Sequence, residues 1–161
     1  MDLAVVCGHV IVERNGRDCG CGRKGCLETY VSATGVVRTA TELLAKRNIA
    51  SELRAIPNNG LTALKVSQAA GRGDAIAKEV FEFTGEMLGR ALADFVAITS
   101  PQAIFLFGGL AKAGEILFVP VRRSMEANML NIFKNKVKVL PSQLGDDAAI
   151  LGSAALVSFN L

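Results

Sequence analysis

The chain has no tryptophan, a single tyrosine and a single histidine among its 161 residues. Charged residues make up only 20%, and the aromatics are mostly phenylalanines set inside apolar patterns. Without exposed aromatics or a basic stripe, a nucleic acid has little to stack on or follow, and the net charge of +3 is weak and scattered. A nucleic-acid partner is therefore not expected. Long apolar runs are also missing. The longest helical pattern is interrupted by Glu79, Glu82, Glu86, Arg90 and Asp94, so no segment is built to span a bilayer. The opening residues "LAVVCG" are too short, and lack the basic flank, for a secretory signal. There is no internal repeat and no low-complexity tract. These absences point to a cytoplasmic protein of one domain's length. Half the residues are apolar and the mean hydropathy is +0.35, oily for a small monomer. Part of that apolar surface is expected to meet a partner or a missing domain, a composition that also suits a homo-oligomer.

Cysteine is scarce as well, but it is not scattered. Three of the four cysteines fall within eight residues, in "CGHVIVERNGRDCGCGRKGCLE", and the lone histidine lies ten positions before them. His9, Cys19, Cys21 and Cys26 give one imidazole and three thiolates, an accepted four-coordinate set for a structural zinc. Gly20, Gly22 and Gly25 supply backbone freedom where sulfurs must converge, and Asn15-Gly16 is a hairpin-turn pair that folds His9 back toward the cysteines. Arg17, Arg23 and Lys24 are placed to offset the negative charge of three thiolates. Free thiols or disulfides are the alternatives. An intracellular setting disfavours disulfides, and Cys19 and Cys21 are poorly spaced to bridge each other. Cys7 reads as a small buried apolar residue. Glu28 opens a helix two residues past the last cysteine, and from position alone a favourable first-turn charge is the simpler reading.

The rest of the chain reads as helix with a strand–helix–strand–helix close. A helical pattern runs from Cys26 to about Asn48, with a break placed near Gly35. Residues 49–62 form a connection around Pro57 and Gly60. After "ALKVSQAA", Asp74 caps the longest helix, expected over about 74–98, with Ile76, Val80, Phe83, Met87, Leu88, Leu92 and Phe95 at three- and four-residue steps. Gly85 and Gly89 lower helix propensity there but allow close packing. Ile104–Phe107 reads as a strand buried on both faces. Pro120 suits the first turn of a helix reaching roughly Lys134. "VKVLPS" is a second strand, and "GDDAAILGSAALVSF" a closing helix capped by Asp146 or Asp147. That order implies a parallel pair with a right-handed crossover. Gly108 and Gly109 sit at the carboxyl end of the first strand, where open α/β sheets bind ligands, although a tight turn alone would explain them.

These residues together resemble the ROK family of bacterial-type glucokinases, other hexose and N-acetylhexosamine kinases, and sugar-responsive repressors. The resemblance is carried by "GHVIVERNGRDCGCGRKGCLETYVS", then "VSQAAGRGDAIAKEVFEFTGEMLGRALADFVAITSPQAIFLFGGLAKAG", then "LGDDAAILGSAALV", covering about residues 8–157. It implies an α/β, helix-rich domain of the ribonuclease H-like, actin-like ATPase superfamily, which includes hexokinase. It also implies transfer of the ATP γ-phosphoryl group to the 6-hydroxyl of glucose or a related hexose. Carried over, His9 binds zinc with one nitrogen and contacts sugar with the other, and Glu28 accepts sugar hydroxyls. Gly108 and Gly109 lie beside the adenosine, and Mg accompanies the ATP.

The sequence departs from the family in two places. The family reads Gly-Glu-x-Gly-His before the hairpin, and its glutamate binds sugar. Here Val5, Val6, Cys7, Gly8 and His9 stand there, and Val6 accepts no hydroxyl hydrogen bond. The family's kinases also carry an Asp-x-Gly phosphate loop, an Asn-Asp pair with the catalytic base, and a second glycine-rich loop, all upstream of the knuckle. None is found in these residues, and Asp2 has no such context. Residues 1–161 are thus expected to be one partial, C-terminal domain with a knuckle over 9–28, its N-terminal domain absent and no catalytic residue in this chain. The missing part decides between a kinase and a repressor's effector domain. A third reading is a non-catalytic zinc-stabilised interaction domain.

Overall fold

A computed structural model of the chain describes residues 7–143. Residues 8–27 form a compact loop with little regular structure. The turn at Asn15-Gly16 is present, with Asn15 at φ 59 and the Gly16 N–H donating to the Glu13 carbonyl at 3.1 Å. The chain does not then pair back as a simple hairpin. Ile11 bridges Cys26, and the Leu27 N–H donates to the Val10 carbonyl at 2.9 Å, so the segment after the last cysteine is the one laid against 10–12. Cys7 is half-buried in a turn with Gly8 and His9, not buried as expected.

Two helices follow where one pattern was expected. α1 is a single turn, Glu28–Val31, and α2 spans Ala33–Lys46. The break falls at Ser32, whose backbone turns extended and whose hydroxyl accepts from the Gly35 N–H as the α2 N-cap. Gly35, the expected breakpoint, is instead inside α2. A Cβ there would lie 2.7 Å from the Tyr30 carbonyl carbon, so the glycine lets α1 and α2 meet.

The body is built on α4 (Ala75–Thr99), packed by α2, by α3 (Ala63–Gly71) and most extensively by α5 (Glu115–Asn128). Asp74 caps α4 by accepting from the Ala77 N–H at 2.9 Å. Ser100 ends it in the left-handed region before Pro101, which cannot continue a helix. Ile76, Val80, Phe81, Leu92 and Val96 of α4 join Val36, Val66, Phe118 and Val121 in one core. Where α4 crosses α5, Gly85 faces Pro120 and Gly89 faces Ser124 and Val121. A Cβ at either glycine would stand 2.6 Å from its neighbour.

α5 differs from expectation at both ends. It begins at Glu115, which puts Pro120 in its second turn, and it stops at Asn128. The Pro120 ring fills the space left by Gly85, and the Asn128 side chain donates to the Ser124 carbonyl at 2.7 Å. β1 (Ala103–Leu106) and β2 (Lys138–Pro141) pair in parallel, Ile104 opposite Val139. Burial of β1 on both faces is not found. Ile104 and Leu106 pack on the core, but Phe105 is 61% exposed, because among the described residues the helices cover one face of this pair. The expected closing helix and its caps Asp146 and Asp147, together with Asp2, Val5 and Val6, lie outside the described residues. Among the described residues no helix is long and apolar enough to cross a membrane.

Candidate metal and sugar site

The loop brings His9, Cys19, Cys21 and Cys26 together, with their ligand atoms all within 4.8 Å of one another. His9 Nδ1 is 3.6 Å from Cys19 Sγ, and Cys21 Sγ is 3.5 Å from Cys26 Sγ. Nitrogen and sulfur atoms arranged tetrahedrally around one zinc stand about 3.5–3.8 Å apart, a spacing that these two pairs match. Backbone bonds build the pocket: the Cys19 N–H donates to the Arg23 carbonyl, the Gly22 N–H to the Cys19 carbonyl, and the Gly25 N–H to the Arg17 carbonyl. Gly25 is required here, because at φ +74 any Cβ would strike the Glu13 carbonyl oxygen.

The sulfurs differ in environment. Cys26 is fully buried and Cys21 is exposed. The Arg23 N–H, then its guanidinium, holds the Cys21 thiol down to about 6, whereas burial pushes Cys26 up to about 11, assisted by hydrogen bonding with Cys21 and Cys19. Arg23 also donates to the His9 carbonyl at 2.6 Å, so it is the basic residue that meets the metal set. Lys24 pairs with Asp18 at 3.2 Å. Arg17 turns away from the sulfurs altogether. Its guanidinium is buried between the Tyr30 ring, 4.6 Å from the centroid, and α2, where it donates to the Gly35 carbonyl, Thr39 Oγ1 and Glu42 Oε2. It also donates to the Thr29 carbonyl at 2.8 Å, and the Arg17 N–H donates to the Tyr30 hydroxyl. This knot fastens the loop to the helix that carries Glu28.

Glu28 reaches back over Gly8 to His9, with 3.3 Å between Oε2 and Nε2. If Nδ1 faces the metal, Nε2 faces the carboxylate, an arrangement that fixes the ring's orientation and tautomer. Glu28 also lines a cavity of about 210 Å³ with Asp18, Cys19, Ser32, Thr34 and Arg38. Ser32 and Thr34, not singled out in the sequence, had a signal in the serine that caps a helix after a short turn.

Gly108 and Gly109 follow β1 at some distance from this loop in sequence. Gly108 takes φ +93, which explains its glycine. Gly109 has an ordinary backbone, and a Cβ on either residue would meet nothing within 4 Å. Gly109 lines a mostly apolar cleft of about 610 Å³ with Ala33, Leu64, Ser67, Phe107 and Leu110. The α3 side of this cleft had no signal in the sequence. The two hollows are neighbours: Ala33 lines the cleft by Gly109, and the adjacent Thr34 lines the cavity by Glu28.

Known proteins are similar to this chain in sequence and in fold. The chain is 36% identical over 152 residues to a glucokinase of Thermotoga maritima, covering 93% of this chain and 48% of that protein. It is 31% identical over 150 residues to the DNA-binding transcriptional dual regulator NagC of Escherichia coli, covering 93% of this chain and 36% of that protein. A crystal structure of a ROK family glucokinase from Streptomyces griseus in complex with glucose and AMPPNP superposes with a TM-score of 0.85 at 31% identity, covering 96% of this chain and 51% of that one. The chain thus spans about half the length of the glucokinases it matches. The fold is that of ROK sugar kinases, α/β and rich in helix. A DNA-binding relative aligned over nearly the whole chain removes the ground for excluding nucleic acid from this protein's partners. The match to the ROK family runs from residue 3 to residue 159, and the chain belongs to that family.

Proposed function

We propose that residues 1–161 form the C-terminal part of an ATP-dependent hexose kinase of the glucokinase type, acting in the cytoplasm as a homo-oligomer. The observation that carries this reading is the adjacency of the two hollows: the glycine pair and its apolar cleft suit an adenosine, and Glu28 beside His9 suits a polyhydroxylated ring. Adjacent residues of α2, Ala33 and Thr34, line the two. Phosphoryl transfer needs donor and acceptor held side by side.

His9, Cys19, Cys21 and Cys26 would hold a structural zinc in a knuckle over 9–28. All four positions are filled by protein atoms, so the ion supplies rigidity. Glu28 accepts hydrogen bonds from sugar hydroxyls, and His9 Nε2 addresses the same ring once Glu28 is drawn to the substrate. Gly109, lacking a side chain, lets the nucleotide approach the backbone. ATP comes with Mg. A phosphate loop and the Asn-Asp pair that carries the family's catalytic base are not recognisable in this sequence, so these 161 residues alone are expected not to phosphorylate.

The 31% identity with a transcriptional regulator supports a second reading, an effector domain that binds sugar without nucleotide. Titrating the isotope-labelled chain with glucose and, separately, with AMPPNP tests both. The kinase reading expects amide shifts at Glu28 and its neighbours with millimolar glucose, and at Gly108, Gly109 and Leu110 with the nucleotide. Shifts with glucose alone would favour the regulator. No response to either, in a folded zinc-loaded chain, would sink both readings.

A further inference from the structure

We infer that the knuckle is also an oxidation site, in which a hydroperoxide joins Cys21 to Cys26 and dismantles the metal set. This rests on the zinc reading above, but the geometry it uses belongs to the sulfurs alone. Among the four candidate ligands, Cys21 is the exposed one, His9 and Cys19 are half-buried, and Cys26 is covered. A reagent arriving from solvent meets Cys21 first, and thiol oxidation follows exposure. The Cys26 sulfur lies 3.5 Å away.

The loop is divided into a fixed part and a free part. Gly25 is wedged against the Glu13 backbone, Cys26 bridges Ile11, and Leu27 is buried, so that side stays in place. Around Gly20 and Gly22 an added Cβ would touch nothing within 4 Å, and Gly22 already sits at φ +86. Cys21 therefore moves toward Cys26 without disturbing the core, closing to the roughly 2.05 Å of a disulfide. Cys19 competes poorly for Cys21, because a single intervening residue strains the ring. Its sulfur also lies against His9.

The chemistry balances with the peroxide as sole oxidant. The Cys21 thiolate attacks one peroxide oxygen, the O–O bond breaks, and hydroxide leaves a sulfenic acid on Cys21. The Cys26 thiolate then attacks that sulfur, the S–S bond forms, the S–O bond breaks, and a second hydroxide leaves. The two sulfurs give up two electrons and the peroxide takes them. Two of the four ligands are thereby lost, and His9 with Cys19 is too small a set to retain the ion. A dithiol reductant returns both thiols.

The test adds hydrogen peroxide to the zinc-loaded chain, following released zinc with a chromogenic chelator and mapping disulfides by fragmentation mass spectrometry. The expected result is zinc release in step with a Cys21–Cys26 disulfide, both reversed by dithiothreitol and added zinc. Cys7→Ser leaves the release rate unchanged. Cys21→Ser slows the oxidation of Cys26 into a disulfide by about tenfold or more, read by fragmentation mass spectrometry and not by zinc release because this variant also lacks a ligand. A disulfide between other sulfurs, release through sulfinic acid without any disulfide, or retention of the metal under excess peroxide overturns the inference. If the isolated chain contains no zinc, the metal reading fails on its own. Disulfide mapping of the metal-free chain then still decides this one, with Cys21–Cys26 supporting it and any other pairing overturning it.

Discussion

Arg17 and Glu42 meet at 2.7 Å across very unequal surroundings: the arginine side chain is 7% exposed and the glutamate 41%. The arginine is also the hub of four further contacts to α1, α2 and the Tyr30 ring. Removing it takes away hydrogen bonds to Thr29, Gly35, Thr39 and Glu42 together with the packing on Tyr30, so Arg17→Ala is expected to cost about 3 kcal/mol or more. Glu42→Gln keeps an acceptor at the rim and is expected to cost about 1 kcal/mol. Urea unfolding of both variants measures the asymmetry, and equal losses would contradict this account.

Two glycine-to-alanine changes should have opposite signs. Gly89→Ala drives a methyl into the Val121 carbonyl and Ser124 and is expected to destabilise by about 2 kcal/mol, despite better helix propensity. Gly71→Ala, at the end of α3, meets only Ile116 Cδ1 at 3.9 Å and is expected to gain about 0.5–1 kcal/mol. Thermal melts of the pair provide the check.

The helices were legible wherever one strong local signal acted alone. Asp74 set the start of α4 because its carboxylate caps a backbone N–H, and Gly85 and Gly89 marked the crossing because nothing larger fits. Local signals failed where partners distant in sequence decided. Gly35 read as a breaker, yet it is retained for contact with Tyr30, and the true break is Ser32. Pro120 read as a first-turn residue, yet its ring answers a glycine on another helix. The four candidate metal ligands were legible from their spacing. Arg17 was not, because nothing in its neighbours announces that it turns inward, away from the sulfurs.

Asp74 makes stability depend on acid. Partial burial opposes its charged form, but bonds from the Ala77 N–H, the Ser51 hydroxyl and the Glu52 and Ile76 N–H groups outweigh this and lower its pKa. A carboxylate depressed in the folded chain contributes fully above its unfolded value of about 3.9, and the contribution is lost as pH falls through the folded value. Asp74→Ala is expected to cost about 1–2 kcal/mol at neutral pH, with the difference from wild type shrinking below about pH 4. Denaturation midpoints of both proteins at a series of pH values test this.

Thr84 is fully buried in α4, and its hydroxyl has no partner among the described residues. Thr84→Val keeps the shape and removes the unsatisfied group, so stability is expected to rise by about 1 kcal/mol. A loss of stability on chemical denaturation would indicate a partner that the fold does not reveal.

Metal content is the most direct measurement. Elemental analysis is expected to find about one zinc per chain, and a chelator is expected to lower the melting temperature, since binding energy here is folding energy. A fully folded chain with no zinc and no response to chelator would remove the metal assignment.

The Glu28–His9 contact has a consequence beyond geometry. His9 offers one nitrogen to the candidate ligand set and touches Glu28 through the other, and Glu28 follows Cys26 by two residues. Whatever grips Glu28 and whatever grips the knuckle therefore bias the same few torsions. Equilibrium linkage makes that bias mutual: if occupying the knuckle tightens a ligand at Glu28 by some factor, that ligand tightens the knuckle's hold on its ion by the same factor. In a cell where free zinc is scarce, abundance of the ligand would then set how many copies of the protein stay loaded.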